Sequence, residues 1–258
     1  MRGAIAGDIF GAAYEGNPLK RDDFDLFGRP RNFTDDTVLT IATADALMTD
    51  GDYATAYRRW GNRFPGRGFG GWFLDWLGDP SRGPYNSFGN GSAMRVSPVG
   101  WAFDTLEETL AEAKRSAAVT HDHPEGIKGA RATAAAIYLA RKGATKQDIR
   151  REITARFNYD LDRTIADIRP NYSFDVTCQG SVPESLIAFL DADDLEHTLR
   201  LAISLGGDAD TQAAIAGAVA EAFWGGLPDD IEAEVYRILP PDMAMVITNF
   251  QSKIHQPL

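Results

Sequence analysis

With 258 residues, 44% of them hydrophobic and 24% charged, the chain has the composition of a globular protein and the length for one large core. A net charge of −11 argues against an extended nucleic-acid surface, which needs a basic patch, and a single cysteine, Cys178, excludes a disulfide within the chain. No run reaches the roughly 20 apolar residues of a spanning helix, and Asp8 breaks the first apolar run too early for a secretory signal, so no membrane partner is expected and the cytoplasm is the expected compartment.

Residues 3 to 14 carry Gly3, Gly7 and Gly11 at every fourth position, one stripe on a helix. Each glycine costs a helix up to about 1 kcal/mol, so the stripe predicts a buried helix that another backbone approaches closely. Asp8 and Glu15, seven apart, fall on one face of it; the plain alternative for each is a surface carboxylate. A polar loop with Pro18, Gly28 and Pro30 leads to Thr34-Asp35-Asp36-Thr37, directly ahead of an apolar run. Asp and Thr cap helices well, and acids suit the first turn. That helix should stop near Asp50-Gly51, with another over 53–64.

The stretch from Pro65 to Ser92 is rich in Gly, Pro and aromatic residues, with room for a short helix around 71–77. Its aromatics argue against disorder, and long loops in folded domains are commonly functional. It ends in Gly89-Asn90-Gly91-Ser92, running into Ala93-Met94-Arg95-Val96. A glycine turn that opens a short helix can offer backbone N–H groups to a phosphate, although most such turns bind nothing. Arg95 suits a phosphate or, more commonly, a carboxylate.

Thr105 and Glu108 read as a capping box for a helix to about Val119, and Thr120-His121-Asp122-His123-Pro124 is a break before an Ala-rich helix over 125–141. Two histidines without a third nitrogen or sulfur ligand read as caps or polar contacts before they read as a metal site. Thr145 and Asp148 open a helix to about Phe157. Residues 158–180 read as irregular, with the alternation Tyr172, Phe174, Val176 as a faint strand signal, and Ser181 with Glu184 as a capping box for a helix to about Leu190. A helix over 194–205 precedes Gly206-Gly207-Asp208-Ala209-Asp210-Thr211, and the helix behind it, Gln212 to Trp224, is apolar nearly all round and belongs in the core. Helices over 229–238 and 242–254 close the chain. Nothing divides it, so the expectation is one all-α domain over 1–258, a compact bundle of many helices.

The two acidic motifs match each other: a carboxylate pair, then Thr, then an apolar helix. Capping needs one oxygen, not two acids and a hydroxyl each time. If the two helix starts face each other they form a set of hard oxygen ligands suited to Mg²⁺ or Mn²⁺ rather than zinc, and without a cation the like charges repel.

Taken together, Gly7-Asp8 through Glu15, Thr34-Asp35-Asp36-Thr37, Gly89-Asn90-Gly91-Ser92-Ala93-Met94-Arg95, Thr120-His121 and Gly206-Gly207-Asp208-Ala209-Asp210-Thr211 resemble the ordered motifs of the ADP-ribosylglycohydrolases. The chain departs at Ala209, where many members carry Thr. The resemblance implies an all-α orthogonal bundle with a dimetal cleft. Two Mg²⁺ or Mn²⁺ ions would be held by Thr34, Asp35, Asp36, Asp208, Asp210 and Thr211. Glu15 would be the mobile acid or base, with Asp35 and Asp36 completing the catalytic set. Phe88, Gly89, Asn90, Gly91, Ser92, Met94 and His121 would receive ADP-ribose, its pyrophosphate at Gly91 and Ser92. The implied reaction is hydrolysis between ribose C1″ and an acceptor, through an oxocarbenium-like state that carboxylates serve. A magnesium-dependent pyrophosphohydrolase and a silent ADP-ribose-binding protein are the alternatives.

Overall fold

A computed structural model describes residues 1–254. Fifteen helices account for its regular structure. In chain order they are α1 (Arg2–Gly11), α2 (Asp35–Met48), α3 (Tyr53–Arg63), α4 (Gly71–Gly78), α5 (Gly91–Met94), α6 (Ser97–Ala102), α7 (Leu106–Ala118) and α8 (Pro124–Arg141). Then come α9 (Lys146–Phe157), α10 (Ile165–Ile168), α11 (Cys178–Asp191), α12 (Leu195–Ser204), α13 (Ala209–Trp224), α14 (Asp229–Ile238) and α15 (Pro241–Ile254). The fold is all-α, and no strand forms among the described residues.

α13 is the hub, touching α1, α2, α5, α8, α11 and α12. Its residues from Ala209 through Ala222 are all buried, as its all-round apolar sequence requires. Its main partner is α1, and the glycine stripe is the reason. A Cβ on Gly7 would lie 2.0 Å from the Ala213 carbonyl oxygen, and one on Gly3 or Gly11 would meet the carbonyls of Gly217 or Ala209 as closely. The two backbones therefore touch without side chains between them. Gly7→Ala should lower stability by about 3 kcal/mol, the upper end for overpacking, because the obstacle is backbone rather than a mobile side chain. Calorimetry should read this as a Tm fall of roughly 6–12 °C.

α1 also holds α2. Asp8, fully buried, accepts from the Thr34 amide at 2.9 Å and hydroxyl at 2.8 Å, and from the Thr37 amide at 3.0 Å and hydroxyl. Asp8 is thus no surface carboxylate. It caps the start of α2 from a neighbouring helix, satisfying donors that the first turn leaves orphaned. One helix therefore fixes both acidic helix starts: α13 through the glycine stripe, α2 through Asp8.

Several local expectations are corrected. α1 ends at Gly11 and the chain runs through turns to Gly16, so Glu15 does not share a helical face with Asp8. α11 begins at Cys178 rather than at Ser181: the cap is Thr177, whose Oγ1 accepts from the Gly180 amide at 3.1 Å. A pairing distant in sequence decides this, since Thr177 forms an antiparallel bridge with Gly89. The Ser181 hydroxyl is used elsewhere, donating to Asp175 O at 2.9 Å. That bridge is also all that remains of the strand signal at 172–176, because Tyr172 turns in to donate to Gly180 O at 2.7 Å while Phe174 and Val176 stay exposed. Thr105 caps α7, but Glu108 bonds its hydroxyl at 2.7 Å in place of the backbone amide of a capping box. Short helices α6 and α10 lie where none was expected, the second started by a Thr164–Asp167 capping box. Thr145 and Asp148 do open a helix, α9, and they do so as a capping box.

Candidate active site

The starts of α2 and α13 meet on one wall of a cleft of about 610 Å³. Thr211 Oγ1 donates to Asp36 Oδ2 at 3.3 Å across the junction, and Thr34 Oγ1 reaches the same oxygen at 3.5 Å. Glu15, Asp208 and Asp210 each bring a carboxylate oxygen within 4.8 Å of the others. Glu15, Thr34, Asp35, Asp36, Asp208, Asp210 and Thr211, the whole expected set, line this wall. Asp208 and Asp210 are buried and Glu15 is exposed.

The electrostatics are those of an acid cluster without its counter-charge. Among the described residues no Lys, Arg or His forms an ion pair with Glu15, Asp35, Asp36, Asp208 or Asp210. Burial, reinforced by the Asp8 charge, pushes Asp35 up to about 8. Burial and then Asp210 raise Asp36, burial and then Asp208 raise Asp210, and burial with Asp208 and Asp8 raises Glu15. Asp36 Oδ1 is buried with no hydrogen-bond partner. A buried carboxylate oxygen left bare costs free energy unless something positive meets it. Hard oxygens, hydroxyls beside them and an unpartnered carboxylate oxygen fit a divalent cation that prefers oxygen.

The turn Gly89-Asn90-Gly91 that opens α5 also lines the cleft. It is fastened to the segment ahead of α11: Asn90 N donates to Val176 O at 2.8 Å and Cys178 N to Phe88 O at 2.9 Å. Met94 and His121 also line the cleft. Phe88 and Ser92 do not. The exposed Phe88 ring packs on His123, 5.4 Å between centroids, and the buried Ser92 hydroxyl donates to Gly126 O at 2.7 Å. Asn90 is buried, and its side-chain amide donates to Asp208 Oδ2 at 2.7 Å and Ser181 Oγ at 3.0 Å. It ties the turn to the acidic wall. His123 caps α8, its Nδ1 accepting from the Glu125 amide at 3.1 Å. Fully buried Arg95 also lines the cleft and forms no ion pair with a carboxylate among the described residues; it lies over Tyr57 and donates to Ser116 O and Thr120 Oγ1.

Cleft residues that sequence reasoning did not single out include Gly68, Trp72, Phe73, Tyr85, Phe174 and Val176. The available signal was the aromatic content of 65–92 and the alternation at 172–176, which marks the rim of the cleft and not a strand.

The family model for ADP-ribosylglycohydrolases matches residues 1–252. The chain belongs to the ADP-ribosylglycohydrolase family. The chicken (Gallus gallus) ADP-ribosylhydrolase ARH3 is 26% identical over 308 residues, covering 87% of this chain and 84% of that protein. The ADP-ribosylarginine hydrolase Tri1 of Pseudomonas putida is 26% identical over 264 residues, 89% of this chain and 71% of that one. A solved ADP-ribosylglycohydrolase-related protein complex superposes with a TM-score of 0.74 at 27% identity, covering 98% of this chain and 95% of that one. The family likeness thus extends over nearly the whole length of the chain.

Proposed function

We propose that the protein hydrolyses the glycosidic bond between ADP-ribose and an acceptor group, with two Mg²⁺ or Mn²⁺ ions in the acidic wall. The observation that carries this is the meeting of two acidic helix starts at Asp36, whose Oδ1 is bare, in a cleft that a glycine turn also lines. Relatives named ADP-ribosylhydrolase and ADP-ribosylarginine hydrolase support the reaction class. Thr34, Asp35, Asp36, Asp208, Asp210 and Thr211 are the proposed ligands. Divalent ions bound there would offset the carboxylate charge, hold ribose hydroxyls and make a bound water more acidic.

The protein's own groups do the rest. Asp8 holds the Thr34 end of α2, and Asn90 orients Asp208. The Gly89–Gly91 turn lets a diphosphate approach the backbone without a side chain in the way. Glu15 lies at the exposed edge of the acid cluster, where its carboxylate can exchange a proton with the acceptor or with water. Trp72 and Phe174 flank the entrance and bear on which acceptor enters.

A panel of defined ADP-ribosyl conjugates (arginine, serine, ADP-ribose polymer, nucleobase), assayed for products, tests the proposal. Free ADP-ribose and intact acceptor are expected. AMP and a ribose phosphate would instead make the protein a pyrophosphohydrolase, and tight binding without products would make it a silent receptor. Asn90→Ala should weaken the divalent cation roughly 10–100-fold, as loss of a group orienting a ligand does, read by titration calorimetry, with the melting temperature in EDTA changing little.

A further inference from the structure

Lys20 follows Glu15 by five residues, where the loop beyond α1 runs against the turn Gly206-Gly207 ahead of Asp208. The fit is close. A Cβ on Gly206 would lie 3.0 Å from Pro18 Cβ and 3.1 Å from Lys20 Cε, and Gly206 itself is left-handed, at φ +67°. Gly207 meets a second segment: a Cβ there would lie 2.4 Å from Tyr172 Cε1.

Lys20 Nζ donates to Leu205 O and, at 2.6 Å, to Tyr172 O. Leu205 is the C-cap of α12. The last carbonyls of a helix lack a helical donor and attract a cation. One ammonium therefore joins three pieces of the cleft: the loop that follows Glu15, the turn that precedes Asp208, and the segment that leads to Phe174 and Val176 on the rim. Asp22 fastens the same loop a second time, pairing with Arg169 at 2.6 Å. Lys20 forms no ion pair of its own among the described residues, so it acts through main-chain carbonyls.

Glu15 needs such an anchor. Among the described residues no hydrogen bond or ion pair holds its side chain, yet its carboxylate lies within 4.8 Å of those of Asp208 and Asp210. Like charges so close repel, and the neighbouring backbone is what keeps Glu15 among them. Before Glu15 that backbone is tied by Gly11, which lies against the Ala209 carbonyl. After it, the tie is Lys20.

We propose that Lys20 is a positioning residue that clamps the loop after Glu15 onto the Gly206–Gly207 turn and so sets the distance between Glu15 and Asp208. The clamp rests on these contacts; its effect on turnover rests on the hydrolysis proposed above. The same contacts account for the double glycine, since a side chain at either position would strike Pro18, Lys20 or Tyr172.

Lys20→Met keeps the apolar stem and removes the donor, and Lys20→Arg keeps a cationic donor that can fork between two carbonyls. On the conjugate that the wild type cleaves fastest, Lys20→Met should lower kcat about 10–100-fold, the scale of a misplacement of about 1 Å. KM should stay as it is, and Lys20→Arg should restore most of the rate. In a Glu15→Ala background Lys20→Met should cost nothing further, because its effect runs through Glu15. Hydrogen exchange needs no substrate. The amides of Asn17, Leu205 and Gly206 are each bonded to a main-chain carbonyl, and in Lys20→Met they should exchange about tenfold faster, as loss of a hydrogen bond from a charged group allows. Wild-type kcat in Lys20→Met overturns the positioning role, and so does an undiminished further loss in the Glu15→Ala background. Unchanged exchange at all three amides overturns the clamp. A wild type that cleaves no conjugate overturns the proposed reaction instead, and the exchange rates alone then decide the clamp.

Discussion

Saturating Mg²⁺ or Mn²⁺ should raise the melting temperature by about 5–10 °C over a protein treated with EDTA. A ligand that binds only the native state at a hundred times its Kd adds about 2.7 kcal/mol, and for a domain of this size each kcal/mol moves Tm by roughly 2–4 °C. The sign with pH follows from the same cluster. Asp35 has its pKa raised from 3.8 to about 8, so between those values the folded protein without metal binds more protons than the unfolded chain. Its stability therefore falls as pH rises from about 4 to about 8. Divalent ions bind the deprotonated carboxylates, so the metal-induced shift should be larger at pH 8 than at pH 5. Asp35→Asn and Asp36→Asn should each shrink the shift and abolish turnover, yet leave the metal-free protein as stable as wild type or more so, because each removes one of several repelling charges. Helix capping alone predicts otherwise: Asn caps as well as Asp, so both variants would be neutral and no cation would matter. A melting temperature indifferent to divalent ions across this pH range would falsify the dimetal site.

Glu15→Ala should lower kcat by about 10² or more, the usual loss with a general acid or base, while most of the metal-induced stabilisation survives. The geometry separates the two effects. Glu15 is exposed, in the turns beyond α1, and among the described residues no helix cap or buried hydrogen bond uses its side chain. Asp35, Asp36, Asp208 and Asp210 sit on α2 and at the start of α13, held by Asp8, Asn90 and the glycine stripe. Glu15→Gln should be nearly as slow as Glu15→Ala, since size is preserved and the proton exchange is not. Stopped-flow or steady-state release of ADP-ribose reads the loss directly. Wild-type kcat in Glu15→Ala would remove the residue from the proton path.

The acidic wall was legible in the sequence because its signal is local: two carboxylates and a Thr ahead of an apolar run, written twice. The helices α2, α3, α8, α9 and α13 were legible for the same reason, through caps and periodicity. What the sequence does not carry is the long-range use of polar groups. For Asp8 a surface acid stays open as the plain alternative until α2 is set against α1 and its two Thr residues close over the carboxylate. Asn90 reads as part of a ligand turn, yet its amide is turned to Asp208. Ser181 and Glu184 have the spacing of a cap, but a bridge between Gly89 and Thr177 decides where α11 begins. Phe174 and Val176 alternate like a strand because each second side chain faces the cleft rim. In every case local pattern competes with a partner far away in the chain, and the distant partner wins.

The fastening of residues 88–90 to 176–178 has a practical consequence for altering what enters the cleft. The glycine turn and the apolar lip beside it are stitched by main-chain bonds that carry no side-chain identity. Exchanging one of these segments with a relative would leave its amides and carbonyls facing a lip of foreign length. Grafting must move both as a cassette, roughly residues 85–92 with 172–178, and Asn90 must travel with it to keep Asp208 aligned. Trp72 lies outside such a cassette, on α4, but its ring meets Tyr85 edge-on at 6.2 Å between centroids, so a change there is felt by the cassette through Tyr85.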